Sequence, residues 1–101
     1  MKYKTRKGIV LTSVCGQYIL VAAKKARENC PYLTQINETA AFCWRLLENG
    51  STRDELTDHL LEEFDADDAS LVGKDVEIML KNFLEAGYLI QTEEEENEQN
   101  Q

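Results

Sequence analysis

Ile36-Asn37-Glu38-Thr39-Ala40-Ala41 constrains this chain of 101 residues more than any other segment. It predicts a strand that runs directly into a capped helix. Asn37 is the N-cap, its side-chain oxygen placed to accept from an early helical N–H. The helix it opens, residues 38–47, is apolar on most sides: Ala40, Ala41, Phe42, Cys43, Trp44, Leu46 and Leu47. A helix of that kind belongs at the centre of a core. Gly50 follows as the left-handed residue that ends it.

The flanking segments supply what packs on this helix. Residues 8–15 and 18–23 are rich in Ile, Val, Leu and Thr and are joined by Gly16-Gln17, which predicts a hairpin. The first of these strands is apolar on both faces at its start, so its core-facing side stays open. Residues 24–30 are polar and form either a loop or one helical turn. Pro31 suits the start of an edge strand because it has no N–H to give a ladder. Residues 32–36 then read as a short third strand.

Downstream, Thr52-x-x-Glu55 is a capping box that opens a second helix, with Leu56, Leu60 and Phe64 as its buried stripe. A third helix runs from about residue 70 to Ala86 and stops at Gly87. Val72, Val76, Leu80 and Phe83 share one face at core spacing, with Met79 and Leu84 beside them. Leu71 and Ile78, seven apart, fall on another side next to Asp75 and Asn82. Two apolar stripes on one helix leave two readings open. Either Leu71 and Ile78 pack under a neighbouring loop, or they contact something outside the domain.

Charge and cysteine usage narrow the function classes. Lys2, Lys4, Arg6 and Lys7 make residues 1–7 a basic arm, and residues 92–101 form an acidic tail read as disordered. Without the tail's five glutamates the formal net charge goes from −8 to −3. Such a surface is a poor match for nucleic acid, which needs clustered Lys and Arg. Cys15, Cys30 and Cys43 are odd in number and contain no C-x-x-C pair, which fits reduced thiols in the cytoplasm. The basic start followed by residues 9–23 imitates a signal peptide, but Thr12, Ser13, Gly16 and Gln17 interrupt the apolar run where a hairpin turn would fall. Nothing is long and apolar enough to span a bilayer. These features bound a single α+β domain over residues 8–91.

The order of the motifs resembles the PqqD family. Three strands precede Ile36-Asn37-Glu38-Thr39-Ala40-Ala41. Then come Leu47-x-x-Gly50, Thr52-x-x-Glu55-Leu56 and Leu84-x-x-Gly87-Tyr88-Leu89. That family includes the peptide chaperone of pyrroloquinoline quinone biosynthesis and stand-alone recognition domains for ribosomally made, post-translationally modified peptides. The resemblance implies a winged helix-turn-helix body: an N-terminal three-stranded antiparallel sheet followed by three helices. It also implies binding the leader of a precursor peptide as an added strand beside the third strand, and presenting it to a modifying enzyme, often a radical SAM enzyme. Carried over by position, Tyr32, Leu33, Thr34, Gln35 and Ile36 form the backbone ladder. Leu71, Asp75, Ile78 and Asn82, with Met79, form the opposite wall. The leader is expected to carry two or three apolar anchors at i, i+2 spacing.

Three alternatives carry different expectations. A winged helix that binds DNA would set residues 71–86 in the major groove, where Lys74 and Lys81 face Asp75, Glu77 and Glu85, a poor charge balance for that role. An enzyme needs a constellation that is lacking here. His59 stands alone on a Leu- and Glu-rich helix, and Glu62, Glu63, Asp65, Asp67 and Asp68 lack the spacing of a calcium loop. No catalysis, cofactor or metal is therefore expected. An interaction subunit that docks a folded partner is the third reading. The exposed strand edge permits a monomer or a dimer.

Overall fold

The computed structural model describes residues 1–23, 25–28 and 31–92. Within them the strands are β1 (Lys2–Thr5), β2 (Ile9–Val14), β3 (Gln17–Ala22), β4 (Leu33–Ile36) and β5 (Leu89–Thr92). The helices are α1 (Glu38–Leu47), α2 (Arg53–Glu63) and α3 (Ala69–Ala86), with one 3-10 turn at Ala26–Glu28. Lys24, Asn29 and Cys30 of the 24–30 connection and residues 93–101 of the tail lie outside the described residues.

Cys15 and Gly16 make the β2–β3 turn, both with positive φ (52° and 77°), the left-handed pair that a tight hairpin of matching twist requires. The turn thus sits one residue earlier than Gly16-Gln17. It sets the register Val14↔Gln17 through Ile9↔Ala22. β4 pairs antiparallel on the far side of β3, so the sheet order is β2-β3-β4. Register resolves which face of β2 meets the core. Ile9 and Leu11 stand opposite the buried Ala22 and Leu20, and Val10 points outward.

α1 is the central helix, as its composition predicts. Ala41, Cys43, Trp44 and Leu47 are buried, and Asn37 caps it by accepting from the Ala40 N–H at 2.8 Å. Trp44 meets Phe83 and Tyr88 edge-on, with ring centroids 5.6 and 6.1 Å apart, an edge-to-face geometry that aromatic quadrupoles favour. Leu56 and Leu60 of α2 and Val76 and Leu80 of α3 complete the core. Phe64 remains 40 % exposed and covers Phe42 edge-on instead of entering the interior. Arg53 Nε lies 2.9 Å from Glu77 Oε2 and braces α2 against α3. Three helices with antiparallel sheets in this order give the expected α+β fold with a winged-helix arrangement.

One boundary needs correction. Residues 1–7 are not an arm ahead of the domain, and Thr92 is not part of the tail. β1 pairs antiparallel with β5, from Lys2↔Thr92 to Thr5↔Leu89, as a second two-stranded sheet. Tyr3 exchanges main-chain hydrogen bonds with Ser51 at 2.8 and 2.9 Å, and the Arg6 N–H donates to the Tyr88 carbonyl at 2.9 Å. The Arg6 guanidinium donates to the Gly87 carbonyl at 2.9 Å. Four basic residues in seven hide the alternation that would have marked a strand, because only Tyr3 offers an apolar side chain to the core.

The capping box of α2 is complete. The Glu55 N–H donates to Thr52 Oγ1 at 3.1 Å, and the Thr52 N–H donates to Glu55 Oε1 at 3.0 Å. That backbone donor holds the Glu55 carboxyl below its usual pKa, helped by Ser51 and Lys2. A carboxyl whose folded pKa is depressed stabilises the fold above its unfolded pKa, and that contribution disappears as pH falls through the folded value. Thr52→Ala should therefore cost about 1 kcal/mol. Glu55→Gln should be less stable than wild type at neutral pH but not below the Glu titration range. Urea unfolding at neutral and acid pH measures both.

Candidate functional site: a strand edge facing a helix

Among the described residues β4 pairs with β3 on one side only, and its pattern of hydrogen bonds dictates what the other side presents. The Ala22 N–H donates to the Tyr32 carbonyl at 2.8 Å, so Ala22 and Tyr32 are a hydrogen-bonded pair. Alternation along an antiparallel ladder makes Leu20↔Thr34 and Tyr18↔Ile36 the next two such pairs. Tyr32, Thr34 and Ile36 therefore spend their main-chain groups on β3. Leu33 and Gln35 direct theirs to the free edge. The five-residue ladder expected from the sequence thus reduces to two residues, with two donors and two acceptors.

The edge stands over a cleft of about 460 Å³. One wall is Gln35, Ile36 and Asn37, running into Thr39 and Ala40 at the start of α1; the other is Asp75, Ile78, Met79 and Asn82 of α3. Leu60, Val76 and Phe83 form the floor. Among the described residues Asp75 is the one ionisable residue in that lining. Ile78 is 59 % exposed, so the second stripe of α3 does face outward rather than packing beneath a loop. Leu71 is also exposed, on the same side of α3 but beyond the cleft's lining.

The other expected positions separate by face. Ile36 packs against the core. Thr34 points inward, and its hydroxyl hydrogen-bonds the Tyr88 hydroxyl, which also donates to the Pro31 carbonyl at 3.3 Å. Leu33 points to the opposite, outer face and is 55 % exposed, so its side chain is not in the cleft. Tyr32 lies outside it too, with the Arg27 guanidinium 3.9 Å from its ring centroid, a cation–π contact. Asn37, Thr39 and Ala40 line the cleft without having been singled out for it. Their signal was the strand-to-helix junction itself, because the first helical turn after an edge strand must flank whatever lies along that edge.

Residues that could support catalysis are scattered. His59 is exposed, its Nδ1 2.7 Å from the Glu55 carbonyl one turn earlier. Among the described residues no group of three or more His, Cys, Asp or Glu side chains could hold a metal ion. Burial pushes the Cys43 thiol up to about 12, which leaves it protonated and inert at neutral pH.

Residues 31–89 match the family model of coenzyme PQQ synthesis protein D (PqqD), more than half of the chain. The chain belongs to the PqqD family. The matched span runs from Pro31, just ahead of β4, into β5 and so contains both walls of the cleft; the β2–β3 hairpin and β1 precede it. None of the curated proteins matches the chain. Two solved structures share its fold. One is a lasso peptide synthetase B1 complexed with the leader peptide, with a TM-score of 0.69 and 17% identity over 88% of this chain and 98% of that one. The other is TbiB1 in complex with the TbiA(beta) leader peptide, with a TM-score of 0.70 and 18% identity over 90% and 99%.

Two outcomes check the site's construction. Tyr88→Phe removes a hydroxyl that ties β4 to the core and should lower stability by about 1 kcal/mol, read by thermal or urea unfolding. N-ethylmaleimide should leave Cys43 unmodified in the native protein and alkylate it after denaturation, as peptide mass mapping will show.

Proposed function

We propose that this chain binds the leader segment of a ribosomally made precursor peptide as a strand added to β4, and presents it to a separate modifying enzyme of the radical SAM class. The observation that carries the reading is the free edge at Leu33 and Gln35, set over a cleft whose far wall is the exposed stripe of α3. An unpaired edge is a hazard in an ordinary domain. It becomes a receptor when a disordered peptide completes it by β-augmentation. Two solved structures of similar fold carry a leader peptide, and membership of the PqqD family points the same way.

The energetics set what the leader must bring. Ordering each peptide residue costs roughly 1–2 kcal/mol of backbone entropy. Main-chain hydrogen bonds exchange with water and return about 1 kcal/mol apiece. The balance must come from apolar burial, at about 25 cal/mol per Å². Ile78, Met79, Ala40 and Phe83 supply the apolar surface of the cleft, Asn37 and Asn82 are neutral polar groups at its margins, and Gln35 borders it through its main chain. Apolar anchors at i, i+2 spacing in the leader would place successive side chains on that surface.

We read the chain as a non-catalytic adaptor that works in a reducing compartment, the cytoplasm, as a monomer when the edge carries peptide. Among the described residues no helix is long and apolar enough to cross a membrane. The outward charges of α3, Lys74 and Lys81 against Asp75, Glu77 and Glu85, weigh against a DNA-reading role for the same helix.

Isothermal titration with the leader of a precursor encoded beside this chain tests the reading through two variants. Ile78→Asp puts a second acid in the wall and should weaken binding at least tenfold, since an unpaired carboxylate would have to be desolvated. Gln35→Pro deletes an N–H that serves no partner within the sheet, so folding should survive while strand addition fails. Unchanged affinity in both variants would exclude this groove.

A further inference from the structure

An added strand has two faces, and the cleft reads only one of them. We propose that the leader is read on both: one row of its side chains enters the cleft, and the alternate row lies on the outer face of the sheet against Leu33. This deepens the leader-binding reading and rests on it.

Side chains along a strand alternate between faces with period two, so any strand paired to Leu33 and Gln35 must direct every second residue away from α3. What it meets there is set by register. Val10 stands opposite Val21, and Val21 opposite Leu33, which makes one aliphatic row across the outer face of β2, β3 and β4. Val10 is 60 % exposed and Leu33, at the free edge, 55 %. The neighbouring row is Thr12, Ile19 and Gln35. Neither row contains a charge, in a chain that is 30% charged. The row through Leu33 continues into the next strand position, which is where the leader would lie.

Cross-strand neighbours on one face form the pair interactions that stabilise sheets, and aliphatic and β-branched residues gain most beside others of their kind. The leader residue beside Leu33 should therefore be Val, Ile, Leu or an aromatic. A Lys, Asp or Glu there would lie against an apolar row without a partner. The leader then carries, besides the cleft-facing anchors at i, i+2, an outward apolar residue at an odd separation from them. Leu33 acts as a specificity-determining residue from outside the cleft.

The test uses phage-displayed random peptides of about fifteen residues, enough to span an edge of this length, panned on the full-length protein and on Leu33→Lys and Ile78→Asp. Wild type should enrich apolar residues at two positions an odd number apart. Leu33→Lys should keep the cleft-facing anchor and exchange the outward one for Asp or Glu. Leu33→Thr, which preserves strand propensity, should bind a synthetic peptide with an outward Ile about fivefold more weakly than wild type does, yet match wild type on the same peptide with outward Thr. If Leu33→Lys enriches the same peptides as wild type, the outer face is not read, although the cleft reading stands. If Ile78→Asp enriches those same peptides, or wild type enriches none, the cleft reading falls and this inference falls with it. Concentration-dependent dimerisation that Leu33→Lys abolishes would assign the outer face to a second copy and overturn the proposal.

Discussion

Tyr88 fixes the distance between the strand and the helix that face each other across the cleft. Gly87 adopts φ of 87° and reverses the chain at the end of α3, its N–H returning to the Leu84 and Phe83 carbonyls. Only a residue without a Cβ makes that reversal at no steric cost. The next residue is thereby driven into the interior, where it is 1 % exposed and packs edge-on against Trp44 and Phe83. Its hydroxyl reaches Thr34 and the Pro31 carbonyl, one at the start of β4 and one just ahead of it. The helix that forms one wall and the strand that forms the other are thus tied through a single side chain and the aromatic cluster around it. A cleft bounded by two elements holds its width only if something beneath connects them, and here the connection runs through the buried aromatic cluster of Trp44, Phe83 and Tyr88.

The free edge is kept small by the same economy. β4 is four residues long, begins after a proline, and turns its main-chain groups outward at two residues only. Short length and a proline at the entrance are means by which sheets discourage indiscriminate pairing. Asp75 adds a charge within the opposing wall. Under the proposed leader binding, a peptide would have to match a brief register and also fill the apolar floor, and selectivity would arise from the two requirements together.

Much of this was legible in the sequence, and the reason differs by element. α1, the capping box of α2 and the stop at Gly87 carry local chemistry that no tertiary context overrode. The second stripe of α3 was visible as periodicity, and the exposure of Ile78 sets aside its packing beneath a loop. Side-chain direction along β4 was not visible. A four-residue strand has no periodicity to measure, and only its pairing with β3 separates Leu33 from Thr34. β1 was missed for a related reason. Its lysines belong to the solvent side of a strand whose inner side is supplied almost entirely by Tyr3, so composition pointed to a charged arm while the pairing partner lay some ninety residues away at Leu89–Thr92.

That last pairing has a topological result. Lys2 and Thr92 are opposite one another in the ladder, so the first and last described strands lie side by side, on the two-stranded sheet rather than on the one that carries β4. A domain whose ends meet needs almost no span from whatever is joined to it. The body can be carried on a surface loop of a larger protein, or tethered at either end, with the β4 edge still open to a peptide.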